Sequence, residues 1–117
     1  MKLVRLYTGD DNESHIELHE QKEFFEFTER NNTRTALQQT HGIIFATRDT
    51  SAEVKFHNAT RRQYGLYLSA TVELGMGDGS SVVMEPGDIL LAEDTSGHGH
   101  TSTVLKDGMV IFVRLED

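Results

Sequence analysis

Between Gln63 and Met76 the chain alternates for most of its length. Tyr64, Leu66, Leu68, Ala70, Val72, Leu74 and Met76 fall on one face, and Gln63, Gly65, Tyr67, Ser69, Thr71 and Glu73 on the other. A period of two is that of an extended strand, whose successive side chains point to opposite sides of a sheet. The run stops at Gly77-Asp78-Gly79, where Asp-Gly tolerates the positive φ values of a tight hairpin. One half-apolar strand of this kind cannot stand alone and must be paired and covered.

Runs of the same kind recur on both sides. Lys2–Tyr7 leads into Thr8-Gly9-Asp10-Asp11-Asn12, a turn by composition, and His15–His19 follows. Gly42–Thr47, Glu53–His57, Ser80–Met84 and Ile89–Ala92 are further strands, and Thr101–Leu105 with Met109–Leu115 forms a hairpin around Lys106-Asp107-Gly108. Glu20–Arg30 reads both ways: Phe24 and Phe27 have a helical spacing, but the run is short and Asn31-Asn32 ends it. About nine or ten short strands at this spacing predict an all-β sandwich or barrel. With 117 residues, no internal repeat and no linker, the expectation is one domain over 1–117, its N-terminal strands (1–48) packing on a main barrel (53–115).

Composition narrows the partners. The formal charge of −8 argues against a nucleic-acid or anionic-membrane surface, since both reward Lys and Arg. Cys is absent, which removes disulfides and thiolate-held metals. No apolar run approaches the length of a membrane span, and no basic-then-apolar leader opens the chain. The expected location is therefore cytoplasmic.

Chemistry concentrates in Gly87-Asp88-Ile89-Leu90-Leu91-Ala92-Glu93-Asp94-Thr95-Ser96-Gly97-His98-Gly99-His100. An apolar strand that runs into two acids and then two imidazoles at alternating positions suggests a metal or a proton-handling pocket. Asp94-Thr95-Ser96-Gly97 also reads as a self-bonded turn, the role expected for Asp94. Other motifs fail. His15-Ile16-Glu17-Leu18-His19 places its Glu one position too late for a His-Glu-x-x-His metalloprotease helix, and neither a phosphate-binding Gly loop nor a Gly-x-Ser-x-Gly elbow is present.

Four motifs carry a resemblance: Ser14-His15, Arg62-Gln63-Tyr64, Pro86-Gly87-Asp88 and Glu93–His100, the last written Glu-Asp-Thr-x-Gly-x-Gly-His. In their order and over nearly the whole chain they resemble the cupins, and more closely a group of small single-domain bacterial cupins. The resemblance implies a jelly-roll or conical β-barrel with a cavity at its mouth. Cupins usually hold a divalent metal (Zn, Fe, Mn or Ni) through two histidines and a glutamate of a first motif and one histidine of a second. His57 falls at the second histidine, and Lys55 replaces the first. Gln63 falls at the glutamate, and His100 is the candidate for the last histidine. The metal set implied for this chain is His57, Gln63 and His100, in which the anionic ligand has become an amide.

By the same resemblance, the face bearing Gln63, Gly65, Tyr67 and Ser69 lines the cavity, with Gly65 leaving room for a ligand. Arg61 is favoured over Arg62 for binding a substrate carboxylate, by strand alternation. The opposite face, Tyr64, Leu66, Leu68 and Val72, needs cover from the N-terminal segment or from a second copy in a homodimer. The leading functional expectation is an enzyme doing isomerase, lyase or cyclase chemistry on a small polar or carboxylated metabolite. His100 would be acid or base and Glu93 its partner, while His57, Gln63 and Tyr67 orient substrate or metal. The alternative is a non-catalytic module that binds or senses a small molecule, since one scaffold hosts many activities.

Overall fold

The computed structural model describes residues 1–115. Its strands are β1 (Leu3–Thr8), β2 (Ser14–His19), β3 (Phe27–Glu29), β4 (Arg34–Thr35), β5 (Thr40–Arg48), β6 (Glu53–His57), β7 (Gln63–Tyr67), β8 (Thr71–Gly75), β9 (Ser81–Met84), β10 (Ile89–Glu93), β11 (His100–Lys106) and β12 (Gly108–Leu115). A single short helix, α1 (Gln21–Phe24), interrupts them. The architecture is all-β, as the recurring alternation requires.

Six strands form one sheet in the order β2-β1-β10-β7-β12-β5, and four form another in the order β6-β11-β8-β9. Among the described residues no ladder joins the two, so the sheets face each other as an open sandwich rather than a closed barrel. Their inner faces share one core. Val4, Leu6, Leu90, Ala92 and Val110 come from the larger sheet, and Val72, Leu74, Met84 and Val104 from the smaller, all under 7% exposed. Of the strands within residues 1–48, β1, β2 and β5 belong to the six-stranded sheet, β1 running parallel to β10, while β3 and β4 pair as a separate two-stranded sheet.

The long alternating run divides. Residues 63–67 are β7 in one sheet and 71–75 are β8 in the other. At the corner, the N–H groups of Leu68 and Ser69 both donate to the Met109 carbonyl, and Ser69 Oγ accepts the Met109 N–H at 2.8 Å. The corner shifts the phase. Gly65 and Tyr67 are buried before it, and Ala70, Val72, Leu74 and Met76 after it. Val72 therefore belongs to the core, whereas Leu68 is 59% exposed.

Glu20–Arg30 resolves into α1 and a hairpin. Glu20 and Glu23 close a capping box over α1, and the β3–β4 turn takes Arg30, Asn31 and Asn32 into positive φ. Phe24 then leans on Tyr64 at 6.2 Å between ring centroids, and Tyr64 Oη donates to Gln38 Oε1. The N-terminal segment thus covers part of the outer face of β7. No helix among the described residues is long and apolar enough to cross a membrane.

Candidate functional site

Between the sheets, towards the free edges of β5 and β6, lies a cavity of about 360 Å³. Alternation places Ile44, Ala46 and Arg48 of β5 and Val110, Phe112 and Arg114 of β12 along one wall. Gln63 and Tyr67 of β7 add polar groups, and His57 and His100 face the cavity from the smaller sheet. No Asp or Glu lines it.

The two histidines are brought side by side by backbone pairing. His100 opens β11 opposite His57 at the end of β6, and their ring centroids stand 4.6 Å apart. Gly99 makes this approach possible. Its φ is +82°, and a Cβ there would stand 2.0 Å from the His57 carbonyl oxygen. Only glycine fits both conditions.

Hydrogen bonds orient each imidazole. His57 Nδ1 lies 2.8 Å from the Lys55 carbonyl oxygen, which can only accept, so Nδ1 carries the proton. His100 Nδ1 lies 2.5 Å from Asp94 Oδ2, which also accepts the Ser14 hydroxyl at 2.7 Å. Asp94, Ser14 and His100 are 0%, 1% and 6% exposed, so this chain of bonds is shielded from water. With Asp94 ionised, His100 too carries its proton on Nδ1. Both rings thereby keep Nε2 as the nitrogen left for cavity chemistry.

Sequence reasoning missed Asp94. The expected turn role gives way to a buried carboxylate that holds Ser14 of β2 and His100 together. Nor is Glu93 the partner of His100. It points to the other side of β10, where Arg5 Nε and Arg62 Nε donate to its two oxygens at 2.5 and 2.6 Å. Burial alone would push its carboxyl up, but the two guanidiniums outweigh that and hold it below the ordinary value. A carboxylate so held is a structural anion, unsuited to passing protons.

The remaining expected residues divide. Gln63 and Tyr67 line the cavity, while Ser69 is exposed at the β7–β8 corner and Arg61 sits in the β6–β7 loop away from the cavity wall. Tyr67 is buried, and burial pushes its phenol up, so it acts as a hydrogen-bonding alcohol rather than an anion. Gly65 leaves room for little more than a methyl group. A Cβ there would meet the Tyr67 ring at 3.4 Å and the Phe112 ring at 3.7 Å. His98 lies outside, stacked on Phe56 with Glu13 Oε1 at 2.9 Å from its Nδ1. Arg48 and Arg114 were not anticipated at all. Their signal was available as the last inward positions of two alternating strands, Ile44-Ala46-Arg48 and Val110-Phe112-Arg114.

The implied metal set does not fit well. His57, His100 and Gln63 offer two neutral imidazoles and an amide, and the one nearby carboxylate is engaged by His100 and Ser14 rather than facing the cavity. No group of three His, Asp or Glu side chains among the described residues is placed to hold an ion. Two guanidiniums on the wall would also repel a divalent cation. Compared with known proteins, the chain matches no family model, and no curated protein matches it significantly.

Proposed function

We propose that the cavity binds a small polar or carboxylated metabolite and that His100 exchanges protons with it, as in an isomerase, lyase or cyclase. One observation carries this reading: a buried carboxylate–imidazole pair, Asp94–His100, backs onto a cavity free of other acids. A carboxylate bonded to Nδ1 fixes the tautomer, aims Nε2 at the substrate and stabilises the imidazolium formed when Nε2 takes a proton. Tyr67 and Gln63 supply neutral hydrogen bonds to a carbonyl or hydroxyl, and His57 is the second oriented imidazole. The four motifs, together with the pairing of His57 with His100 beside one cavity, support placing the chain with the cupins. The absence of Cys supports a cytoplasmic setting.

The test needs no prior substrate. The protein is incubated in D2O with a panel of small hydroxy-, keto- and dicarboxylic acids, and deuterium entering C–H positions is followed by NMR. A catalyst of this class labels at least one compound, and His100→Gln lowers the rate by about a hundredfold or more. Saturable binding without labelling of any compound would favour the non-catalytic module, a reading to which the amide at Gln63 lends support.

A further inference from the structure

We infer that the cavity is built for a dianion, a short dicarboxylate held at both ends by Arg48 and Arg114. The inference rests on the reading that this cavity is the ligand site, and adds the charge and shape of what fills it.

The chain carries 19 acidic and 11 basic residues, so a cation in it has abundant partners. The partly buried cations of the β1 side use them: Lys2 meets Asp88 and Glu85, and Arg5 and Arg62 share Glu93. The two arginines inside do not. Among the described residues Arg48 has no carboxylate partner, and its guanidinium lies 5.3 Å over the Phe112 ring. Among the described residues Arg114 reaches only the Thr60 hydroxyl, at 3.3 Å, and its buried Nε has no hydrogen-bond partner. A buried guanidinium N–H with no acceptor is costly, and a ligand oxygen would relieve it. With two guanidiniums and no acid on its wall, the cavity is cationic inside an anionic protein.

Register gives the placement. Arg48 lies opposite Gly108 and Arg114 opposite Gly42, at opposite ends of the β5–β12 ribbon and on its inward face. Arg48 folds back along that ribbon to Phe112, and Arg114 reaches to Thr60. The two guanidiniums therefore meet the cavity wall at different points, one at Phe112 and one at Thr60. One carboxylate cannot serve both. A short chain with a carboxylate at each end can, its methylenes against Phe112, Ala46 and Val110 and its middle near the histidines. Each fork suits bidentate capture of a planar carboxylate.

The test compares chain-matched acids by calorimetry on the full chain at constant ionic strength: succinate against butyrate, glutarate against pentanoate, adipate against hexanoate. At least one dicarboxylate should bind about tenfold or more tightly than its monocarboxylate partner. Arg48→Met and Arg114→Met, which keep the aliphatic stems, should each erase that difference, and Arg48→Lys should restore part of it. Thermal unfolding of every variant confirms that it is folded. Equal binding of both acids, with His100 signals perturbed in NMR, would overturn the dianion inference and leave the ligand site standing. No binding by either series would overturn the dianion inference, and no binding by the hydroxy- and keto-acid panel either would overturn the ligand site as well.

Discussion

At the scale of single residues, the Ser14–Asp94–His100 chain is the feature from which the functional reading starts. Ser14 Oγ and His100 Nδ1 both donate to Oδ2 of Asp94, and Oδ1 has no partner among the described residues. Removing one donor leaves a buried charge less well satisfied. Ser14→Ala should therefore cost about 1–2 kcal/mol in chemical denaturation, more than a surface Ser→Ala change. Asp94→Asn keeps shape and an acceptor oxygen but removes the charge that stabilises an imidazolium at His100. It should retain the fold and lower deuterium exchange by about ten- to a thousandfold. A folded Asp94→Asn protein with undiminished exchange would show that Asp94 has no catalytic part. This residue was hidden in the sequence for a physical reason. Asp-Thr-Ser-Gly has every property of a self-bonded turn, while the donor that overrides that reading is 80 positions away in the chain. His57, His100, Gln63 and Tyr67 were legible because motif and alternation are local; the partners of Asp94 and Glu93 were not, because a fold chooses them.

Between elements, a few polar clips and close approaches set the geometry that the core alone would leave loose. Asp88, after the Pro86-Gly87 turn, accepts the N–H groups of Lys2 and Glu85 and the Lys2 ammonium, fixing the start of β1 against the start of β10. Glu93 does the same at the far end, joining Arg5 of β1 and Arg62 of the loop before β7. Burial raises each carboxyl, and these donors more than reverse it, so both sit below their ordinary values of 3.8 and 4.5. A carboxylate lowered on folding adds stability above its unfolded value and loses it as pH falls through the folded one. Thermal stability should therefore be flat on this account down to about pH 5 and decline below about pH 4, with a shallower decline in Glu93→Gln. An equal slope in that variant would mean that other carboxylates govern acid unfolding. Gly99→Ala tests the other device. Its Cβ has no space beside His57 and its φ is left-handed, so the change should cost about 2–4 kcal/mol and separate the two imidazoles. The sequence showed these elements clearly but not where one becomes two. Leu68-Ser69-Ala70 continues the alternation without a Gly or Pro, and only the bonds from Met109 turn the chain there.

For the whole molecule, the side on which the cavity opens is also where the larger sheet ends. β5 is a nine-residue edge strand that, among the described residues, has one ladder, to β12. Edge strands are usually blunted by charge, proline or a bulge at mid-strand, yet the middle of β5 is Ile43, Ile44 and Phe45, 57%, 40% and 64% exposed. Ile43 and Phe45 lie on the outer face, and Ile44 faces the cavity mouth. We propose a second copy as the partner for this edge. Antiparallel pairing of β5 with its own copy is self-complementary about a two-fold axis, satisfies the free N–H and C=O groups, and covers the apolar side chains of both chains at once. The homodimer proposed on this ground should appear in sedimentation equilibrium at micromolar concentration. Phe45→Lys, which places a charge on the outer face away from the cavity, should shift the mass to that of one chain while the melting transition stays cooperative. Because Ile44 sits at the mouth, the same variant should also weaken capture of a dicarboxylate by severalfold, with both arginines intact. A wild-type chain that sediments as a monomer would refute the pairing, and the exposed Ile-Ile-Phe edge would then have to be accounted for by a partner of another kind.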